Sequence, residues 1–286
     1  MVSEVETVLD ASARDVAYTR DDFRRITNVL RDVSGIRMPD TNEALVYSRL
    51  AKRVRKLGLL SFQDYADLIG RDTDERIEMI EALTTNTTRF FREEYHFDIF
   101  AKELLPGIIE TARSGGRVRL WSAACSSGEE PYTLAGVVLR DFADAARHDV
   151  RILATDIDRT ILARAEQGKY QAQKLTDLPA AFKNTLFEAK EDEAGCSTIR
   201  QAVRTLVSFR YLNFMEPWPV RGPFDAIFCR NVMIYMEKET QNRVFSSLIN
   251  VLRPGGLLFI GHSERISGVH RNQLEMIGKT AFRRLN

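Results

Sequence analysis

The chain has 286 residues, 44% hydrophobic and 28% charged, an ordinary globular composition with enough apolar material for a large core, which excludes wholesale disorder. Its formal charge of +1 provides no global attraction to nucleic acid or to a membrane surface, so any charge recognition must come from local patches. Cys125, Cys196 and Cys229 are scattered without a C-x-x-C pair, and His96, His148, His262 and His270 form no ligand-spaced cluster, so neither a disulfide framework nor a metal site is expected. The N-terminus lacks the basic-then-apolar order of a signal peptide, and no apolar run approaches the roughly 18 residues of a membrane helix. The expectation is a soluble, cytoplasmic protein without membrane insertion.

The first stretch reads as helices. After an acidic segment over 1–18 that is expected to fray, Thr19 or Asp21 caps a helix through Phe23, Ile26, Val29 and Leu30, ended by Ser34-Gly35. Thr41-Asn42 opens a second helix through Leu45, Val46, Leu50, Val54 and Leu57, stopped at Gly58; Ser61 to Ile69 and Thr73 to Leu83 supply two more. A helical domain over 19–88 follows. At about 100° per residue, Arg49, Lys52, Arg53 and Lys56 share a stripe of the second helix apart from its apolar face, with no carboxylate in it. That stripe is either a solvated face or a docking surface for something acidic; it lacks the aromatic interleaving that stacks on bases.

Leu83-Thr-Thr-Asn-Thr-Thr-Arg-Phe-Phe-Arg92-Glu follows, whose Thr84 to Thr88 reads as a polar junction, and then a helical pattern runs from Tyr95 through Leu105. Val118 to Trp121 is a strand, Ser122 to Gly128 a small-residue loop, and Leu134, Val137 and Val138 recur at helical spacing after Pro131. This reads either as the ligand-binding corner of a doubly wound α/β domain or as an ordinary strand-to-helix connection, since only Gly128 stands where a dinucleotide fingerprint has three glycines. Val150 to Asp156 is a second strand, whose terminal acid can accept hydrogen bonds from ribose hydroxyls; Asp156 and Asp158 divide that task and the N-cap of the next helix. Leu206 to Leu212, Phe224 to Cys229 and Leu257 to Ile260 are three more strands, with a helix through Val244, Leu248 and Val251 and a final helix and strand over 272–282. Between strands two and three, the span from Lys169 exceeds an ordinary crossover and predicts an inserted subdomain over about 170–206, with an acidic turn at Lys190 to Gly195 and a strand over Thr198 to Val203.

Five ordered motifs together resemble the chemotaxis receptor glutamate methyltransferases, the CheR family: the junction segment ending in Arg92-Glu, Ser122-Ala-Ala-Cys-Ser-Ser-Gly-Glu-Glu-Pro-Tyr-Thr, Ala154-Thr-Asp-Ile-Asp, Phe224-Asp-Ala-Ile-Phe-Cys-Arg-Asn-Val-Met-Ile-Tyr, and Leu252-Arg-Pro-Gly-Gly-Leu-Leu-Phe-Ile-Gly-His-Ser-Glu. The resemblance implies an S-adenosylmethionine-dependent enzyme that methylates glutamates on the cytoplasmic helices of chemoreceptors, releasing S-adenosylhomocysteine. It also implies a Rossmann-like class I methyltransferase sheet over 89–286, an all-helical N-terminal domain and a small inserted antiparallel β-subdomain.

By position, the resemblance assigns cofactor contacts to Asn86, Thr88, Arg92, Glu130, Asp156, Asn213, Phe214, Arg230 and Asn231, with Glu129 the alternative to Glu130 as the acid facing the cofactor's cationic end. Tyr235 matches a tyrosine near the transferred methyl, and Arg92 and Tyr235 are the expected catalytic pair. Ala123, Ala124 and Ser126 then supply by smallness what extra glycines supply elsewhere. A glutamate with a pKa of about 4.3 is already ionised at neutral pH, so alignment rather than a general base is what catalysis needs. The stripe of Arg49, Lys52, Arg53 and Lys56 becomes a candidate contact for an acidic receptor helical bundle, and a monomer is expected. The insert's loop, Lys190-Glu-Asp-Glu-Ala-Gly195, is acidic where peptide-gripping relatives have glycines, which points to a member that does not bind the receptor's C-terminal peptide. A nucleic-acid methyltransferase is the rival enzyme, disfavoured because no Asn/Asp-Pro-Pro-aromatic acceptor motif is present; a non-catalytic cofactor-sensing docking module is the rival binding protein.

Overall fold

The computed structural model describes residues 16–266 and 268–286, and the chain divides into two compact units, 1–83 and 84–286. The expected fraying of the N-terminal segment falls outside the described residues up to residue 15. Beyond that point the segment is built in: Val16 is buried, Ala17 bridges to Ser61, and the Tyr18 ring lies 4.6 Å from Phe62.

The first unit contains α1 (Arg20–Ser34), α2 (Glu43–Lys56), α3 (Phe62–Arg71) and α4 (Thr73–Leu83). Thr19, not Asp21, caps α1: its hydroxyl accepts from the Asp22 amide at 3.2 Å, and the Asp22 carboxylate accepts from the Thr19 amide at 2.9 Å. Gly35, at φ 75, ends the helix and returns its N–H to the Arg31 carbonyl. The apolar stripes of the helices meet in a core of Phe23, Ile26 and Leu30, Val46, Leu50 and Val54, Tyr65 and Ile69, and Met79 and Leu83. The cationic stripe of α2 is partly absorbed by this packing. Arg53 pairs with Glu75 and Glu78 of α4, and the buried Glu75 also accepts from the Tyr65 hydroxyl at 2.9 Å. Arg49 donates to the Leu83 carbonyl at 2.8 Å, whereas Lys52 and Lys56 are exposed.

In the second unit, α5 (Tyr95–Glu103) and α6 (Leu105–Arg113) precede β1 (Val118–Ala123), α7 (Glu129–Asp141), β2 (Val150–Asp156) and α8 (Arg159–Gln167). The insert carries β3 (Lys169–Gln171), α9 (Ala180–Leu186), β4 (Cys196–Thr198) and α10 (Gln201–Arg204). Then come β5 (Val207–Tyr211), β6 (Phe224–Cys229), α11 (Lys238–Val251), β7 (Leu252–Ile260), β8 (Leu274–Gly278) and β9 (Ala281–Arg284). The main sheet has the order β5-β2-β1-β6-β7-β9-β8, with β3 and β4 forming a separate antiparallel pair. Strands β5, β2, β1, β6 and β7 are parallel, and β9 and β8 run antiparallel at one edge.

Alternation along the central strands sends residues to two cores, one on each sheet face. Leu120, Phe228 and Phe259 enter one, and Trp121, Ile227 and Ile260 the other, as the two-residue strand period requires. Three details differ from the sequence-based expectations. The strand expected over Thr198 to Val203 lies at Cys196–Thr198 and gives way to α10, because Ile199 and Val203, four apart and both buried, follow a helical spacing. The expected final helix is instead the strand β8: the spacing of Leu274, Ile277 and Ala281 imitates a helix, but a turn at Gly278–Thr280 folds the segment into a hairpin on β7. The strand expected from Leu257 begins at Leu252, with a register irregularity against β6 near Pro254. Among the described residues, no helix is long and apolar enough to cross a membrane.

Candidate active site

Strand register decides which loops meet. Ala123 aligns with Thr155 and Cys229, Asp156 with Tyr211, and Cys229 with Ile260, so the carboxyl ends of five parallel strands form one rim. The order in which successive strands are added reverses between β1 and β6, since β1 leads to β2 on one side while β6 and β7 extend the other. Such a switch point is where open α/β sheets bind ligands. Onto this rim fall the segments 124–130, 156–158, 212–214, 230–235 and 261–264.

The loop after β1 curls tightly. Ala124 (φ 64), Ser126 (φ 50) and Gly128 (φ 93) all take left-handed backbone, and a Cβ on Gly128 would come within 2.9 Å of Ala165 Cβ and 3.0 Å of the Tyr170 hydroxyl. Ala124 and Ser126, two of the three small residues expected to stand in for glycines, thus adopt glycine-like conformations, whereas Ala123 closes β1 as strand. Asp156, at the end of β2, holds the loop down: Oδ2 accepts from the Ser126 amide at 2.8 Å and Oδ1 from the Asp158 amide at 3.0 Å. The carboxylate retains acceptor capacity for a further donor. Burial, only partly offset by these amides, pushes the Asp156 carboxyl up to about 6.

Asp158 caps α8 by accepting from the Ile161 amide at 2.8 Å, and its other oxygen accepts from Asn86 Nδ2 at 2.7 Å and the Thr84 hydroxyl at 3.1 Å. Asn86 in turn lies 3.3 Å from the Ser126 hydroxyl. Two neighbouring acids therefore anchor the β1 loop and the 84–88 segment together.

A second cluster is built around Arg230, buried at the end of β6. Its Nη1 donates to Glu130 Oε2 at 3.0 Å, its Nη2 lies 3.2 Å from Glu93 Oε2, and the guanidinium also donates to the Arg92 carbonyl. Glu130 accepts from the Ser122 hydroxyl of β1 at 2.6 Å; Glu129 instead accepts from Ser127 at 2.6 Å. Burial raises both carboxyls above their ordinary values, opposed at Glu130 chiefly by Arg230 and at Glu129 by Ser127. Glu93 goes the other way: burial works against it, but Arg230, His262 and Asn231 hold its carboxyl down at about 2. His96, buried beside the same arginine, is pushed down to about 4 by burial and then by Arg230.

The remaining expected residues lie on the same rim. Asn213 donates to Glu216 at 3.1 Å and accepts from the Met215 amide at 2.9 Å, forming the turn after β5, and the ring of Phe214 packs 5.5 Å from Trp218. Tyr235 ends a short 3-10 turn and is 39% exposed, available to a ligand. That turn is clamped by buried Glu264, which accepts from the Val232 and Met233 amides at 2.8 and 2.7 Å, and by Gln241, which donates to the Met233 and Met236 carbonyls at 2.9 Å. Arg92 folds back to donate to the Thr87 carbonyl at 2.8 Å, and Thr88 is half-buried in the same segment. Ser122, Glu93, His262 and Glu264, to which the motifs assign no role, each sit inside one of the five motifs; only Glu93 carries a local signal, as an acid adjoining the assigned Arg92. No cluster able to hold a metal occurs among the described residues.

These residues fit S-adenosylmethionine. A curled small-residue loop at the switch point, half-buried Glu130 suited to a cationic group, and buried Asp156 with lone pairs for hydroxyl donors are the complement of its cationic and ribose ends.

Residues 86–283 match the family description CheR methyltransferase, SAM binding domain, and residues 21–84 match CheR methyltransferase, all-alpha domain. Similar proteins include a probable chemotaxis protein methyltransferase of Rhizobium etli, 43% identical over 87% of this chain and 94% of that one. Chemotaxis protein methyltransferase 2 of Pseudomonas aeruginosa is 40% identical over 93% of each chain, and the chemotaxis protein methyltransferase of Escherichia coli is 38% identical over 91% of this chain and 89% of that one. The chain belongs to the CheR methyltransferase family and is an S-adenosylmethionine-dependent methyltransferase of chemotaxis.

Proposed function

We propose that the enzyme methylates glutamate side chains on the cytoplasmic helices of chemoreceptors, giving methyl esters for sensory adaptation. The observation that carries this reading is the joining of Arg92 and the acid Glu130 through one buried arginine, on the rim where the ends of the parallel strands meet. S-adenosylmethionine supplies an electrophilic methyl group on a sulfonium. Asp156 is assigned the ribose hydroxyls, Glu130 the ammonium group, Asn213 and Phe214 the adenine side, and Asn86, Thr88, Arg230 and Asn231 the walls of the cleft. Arg92 and Tyr235 orient the incoming carboxylate for in-line attack. Because the acceptor is ionised at neutral pH, no side chain needs to remove a proton, and alignment can supply on the order of 7 to 11 kcal/mol.

The docking surface for receptor helices is assigned to the stripe of Arg49, Lys52, Arg53 and Lys56. Its separable part is Lys52 and Lys56, since Arg53 also joins α2 to α4. Reversing both lysines should raise KM for receptor several-fold with little loss of stability, whereas reversing Arg53 should unsettle the helical unit. The subdomain of β3 and β4 is assigned no receptor peptide. Its acidic loop is tied to Lys169 by Asp192 at 3.0 Å, and saturable binding of a receptor C-terminal peptide in a titration would reverse that assignment.

The decisive experiment incubates the enzyme with labelled cofactor and a receptor cytoplasmic fragment, or with RNA. Base-labile label mapped by mass spectrometry to a receptor glutamate is expected; label in RNA, or none in receptor, would remove the proposal.

A further inference from the structure

Arg92 sits between two residues with unusual backbone. Phe91 (φ 53) and Glu93 (φ 57) both occupy the left-handed region, which is costly for side chains bearing a Cβ and persists only where surroundings impose it. Phe91 is held by its amide donating to the Thr133 hydroxyl at 3.3 Å and by its ring against Phe182, centroids 4.4 Å apart. Glu93 is held by more. Its Oε1 accepts from Asn231 Nδ2 at 3.1 Å, from the His262 amide at 3.2 Å and from His262 Nδ1 at 2.8 Å. Its Oε2 lies 3.2 Å from Arg230 Nη2 and 3.4 Å from His96 Nδ1, and the same arginine donates to the Arg92 carbonyl. The ends of β6 and β7 thus hold the Glu93 carboxylate, and Arg230 at the end of β6 also takes the Arg92 carbonyl.

We propose that Glu93 is the positioning residue for Arg92: its carboxylate, gripped by Asn231, Arg230 and His262, imposes the left-handed turn that aims the Arg92 side chain. The inference rests on the reading of Arg92 as the group that orients the acceptor. Glu93 itself touches neither cofactor nor acceptor in this assignment: its Oε1 is spent on protein donors and its Oε2 is turned against Arg230 and His96. A spectroscopic mark accompanies the contact. An ionised carboxylate can only accept, so His262 must carry its proton on Nδ1 when neutral, leaving Nε2 as the acceptor.

The test compares Glu93→Gln, Glu93→Ala, Arg92→Ala and the double variant Arg92→Ala/Glu93→Gln in the full chain. Glu93→Gln should lower kcat on the order of 10- to 100-fold while changing KM for the receptor fragment less, because misplacement of an aligning group acts on turnover. Glu93→Ala should lose more than Glu93→Gln, which keeps one oxygen for Asn231 and the His262 amide. In the Arg92→Ala background, Glu93→Gln should cost nothing further, since a residue acting through Arg92 has nothing left to position. Independently of activity, amide hydrogen exchange over 91–93 should accelerate in both Glu93 variants, and the nitrogen shifts of His262 should leave the Nδ1–H pattern in Glu93→Ala, which removes the acceptor. Wild-type exchange and an unchanged tautomer in both variants, or the same fold loss in both Arg92 backgrounds, would overturn the proposal. If Arg92→Ala turns over normally, the assignment of Arg92 fails, while faster exchange in the Glu93 variants would still place Glu93 as the residue that sets this turn.

Discussion

The rim of the sheet holds two groups of buried acids that are made tolerable in different ways. At the end of β2, Asp156 is surrounded by neutral donors, the amides of Ser126 and Asp158, and burial leaves it easier to protonate than an ordinary aspartate, at about 6. At the end of β6, Glu93 faces a buried guanidinium and is harder to protonate than usual, at about 2. The contrast shows that a hydrogen bond from an amide satisfies lone pairs without cancelling charge, whereas a buried cation does both. It also separates two tasks: Asp156, with its charge uncancelled, is poised for incoming donors, and Glu93, already paired, is suited to holding protein parts in place.

Removing the cation should produce the largest effect. Arg230→Met would leave Glu93 and Glu130 buried without their partner, and unfolding in denaturant should show a loss of about 3 to 5 kcal/mol. The pH dependence of the two acids should have opposite sign. Asp156, raised from 3.8 to about 6, contributes stability fully below 3.8 and loses it as pH rises through 6. From pH 7 down to pH 4, the wild type should therefore gain roughly 2 kcal/mol on Asp156→Asn, most of the equivalent of that gap in pKa, the rest following below 3.8. Glu93, lowered from 4.5 to about 2, contributes stability above 4.5 and loses it toward 2, so wild type and Glu93→Gln should converge in stability as pH falls through that window. Parallel slopes for the two variants would dissolve the comparison. Cofactor linkage gives a second reading of Asp156: affinity for S-adenosylhomocysteine, measured by calorimetry, should fall by at most about tenfold per pH unit below about 6.

Smaller effects test the neutral donors. Asp158→Ala removes the cap of α8 and the acceptor for Asn86 and Thr84, for an expected loss of about 1 to 2 kcal/mol in thermal or chemical unfolding. Ser122→Ala takes one neutral donor from Glu130 while leaving Arg230, and should cost about 1 kcal/mol. A larger cost at Ser122 than at Arg230 would show that the hydroxyl, not the cation, keeps Glu130 in place.

Local signals were legible where one physical rule dominated. Gly35 as a helix stop, Asp158 as an N-cap and Phe224 to Cys229 as a buried strand each follow from the preference of single residues or from an uninterrupted apolar run. The segment over 272–282 was misread because the apolar spacing of Leu274, Ile277 and Ala281 suits a helix, while pairing with β7 favours an extended hairpin. The α2 stripe was legible as four cations but not as two that are engaged within the helical unit, because the partners of Arg53 lie on α4, distant in sequence.

By itself the sequence determined the helical and α/β parts, the family, and the residue types that suit a cationic, ribose-bearing cofactor, because these depend on composition, periodicity and motifs held within short windows. Only the tertiary structure decided which residues stand together. Parallel register brings Asp156, Arg230 and Gly261 to one rim, and burial then determines which acid is neutralised by a cation and which is left to amides. Glu93 carries the lesson furthest: beside Arg92 it is one more charged residue, and it becomes the grip on a left-handed turn only when the ends of β6 and β7 deliver Arg230, Asn231 and His262 to it.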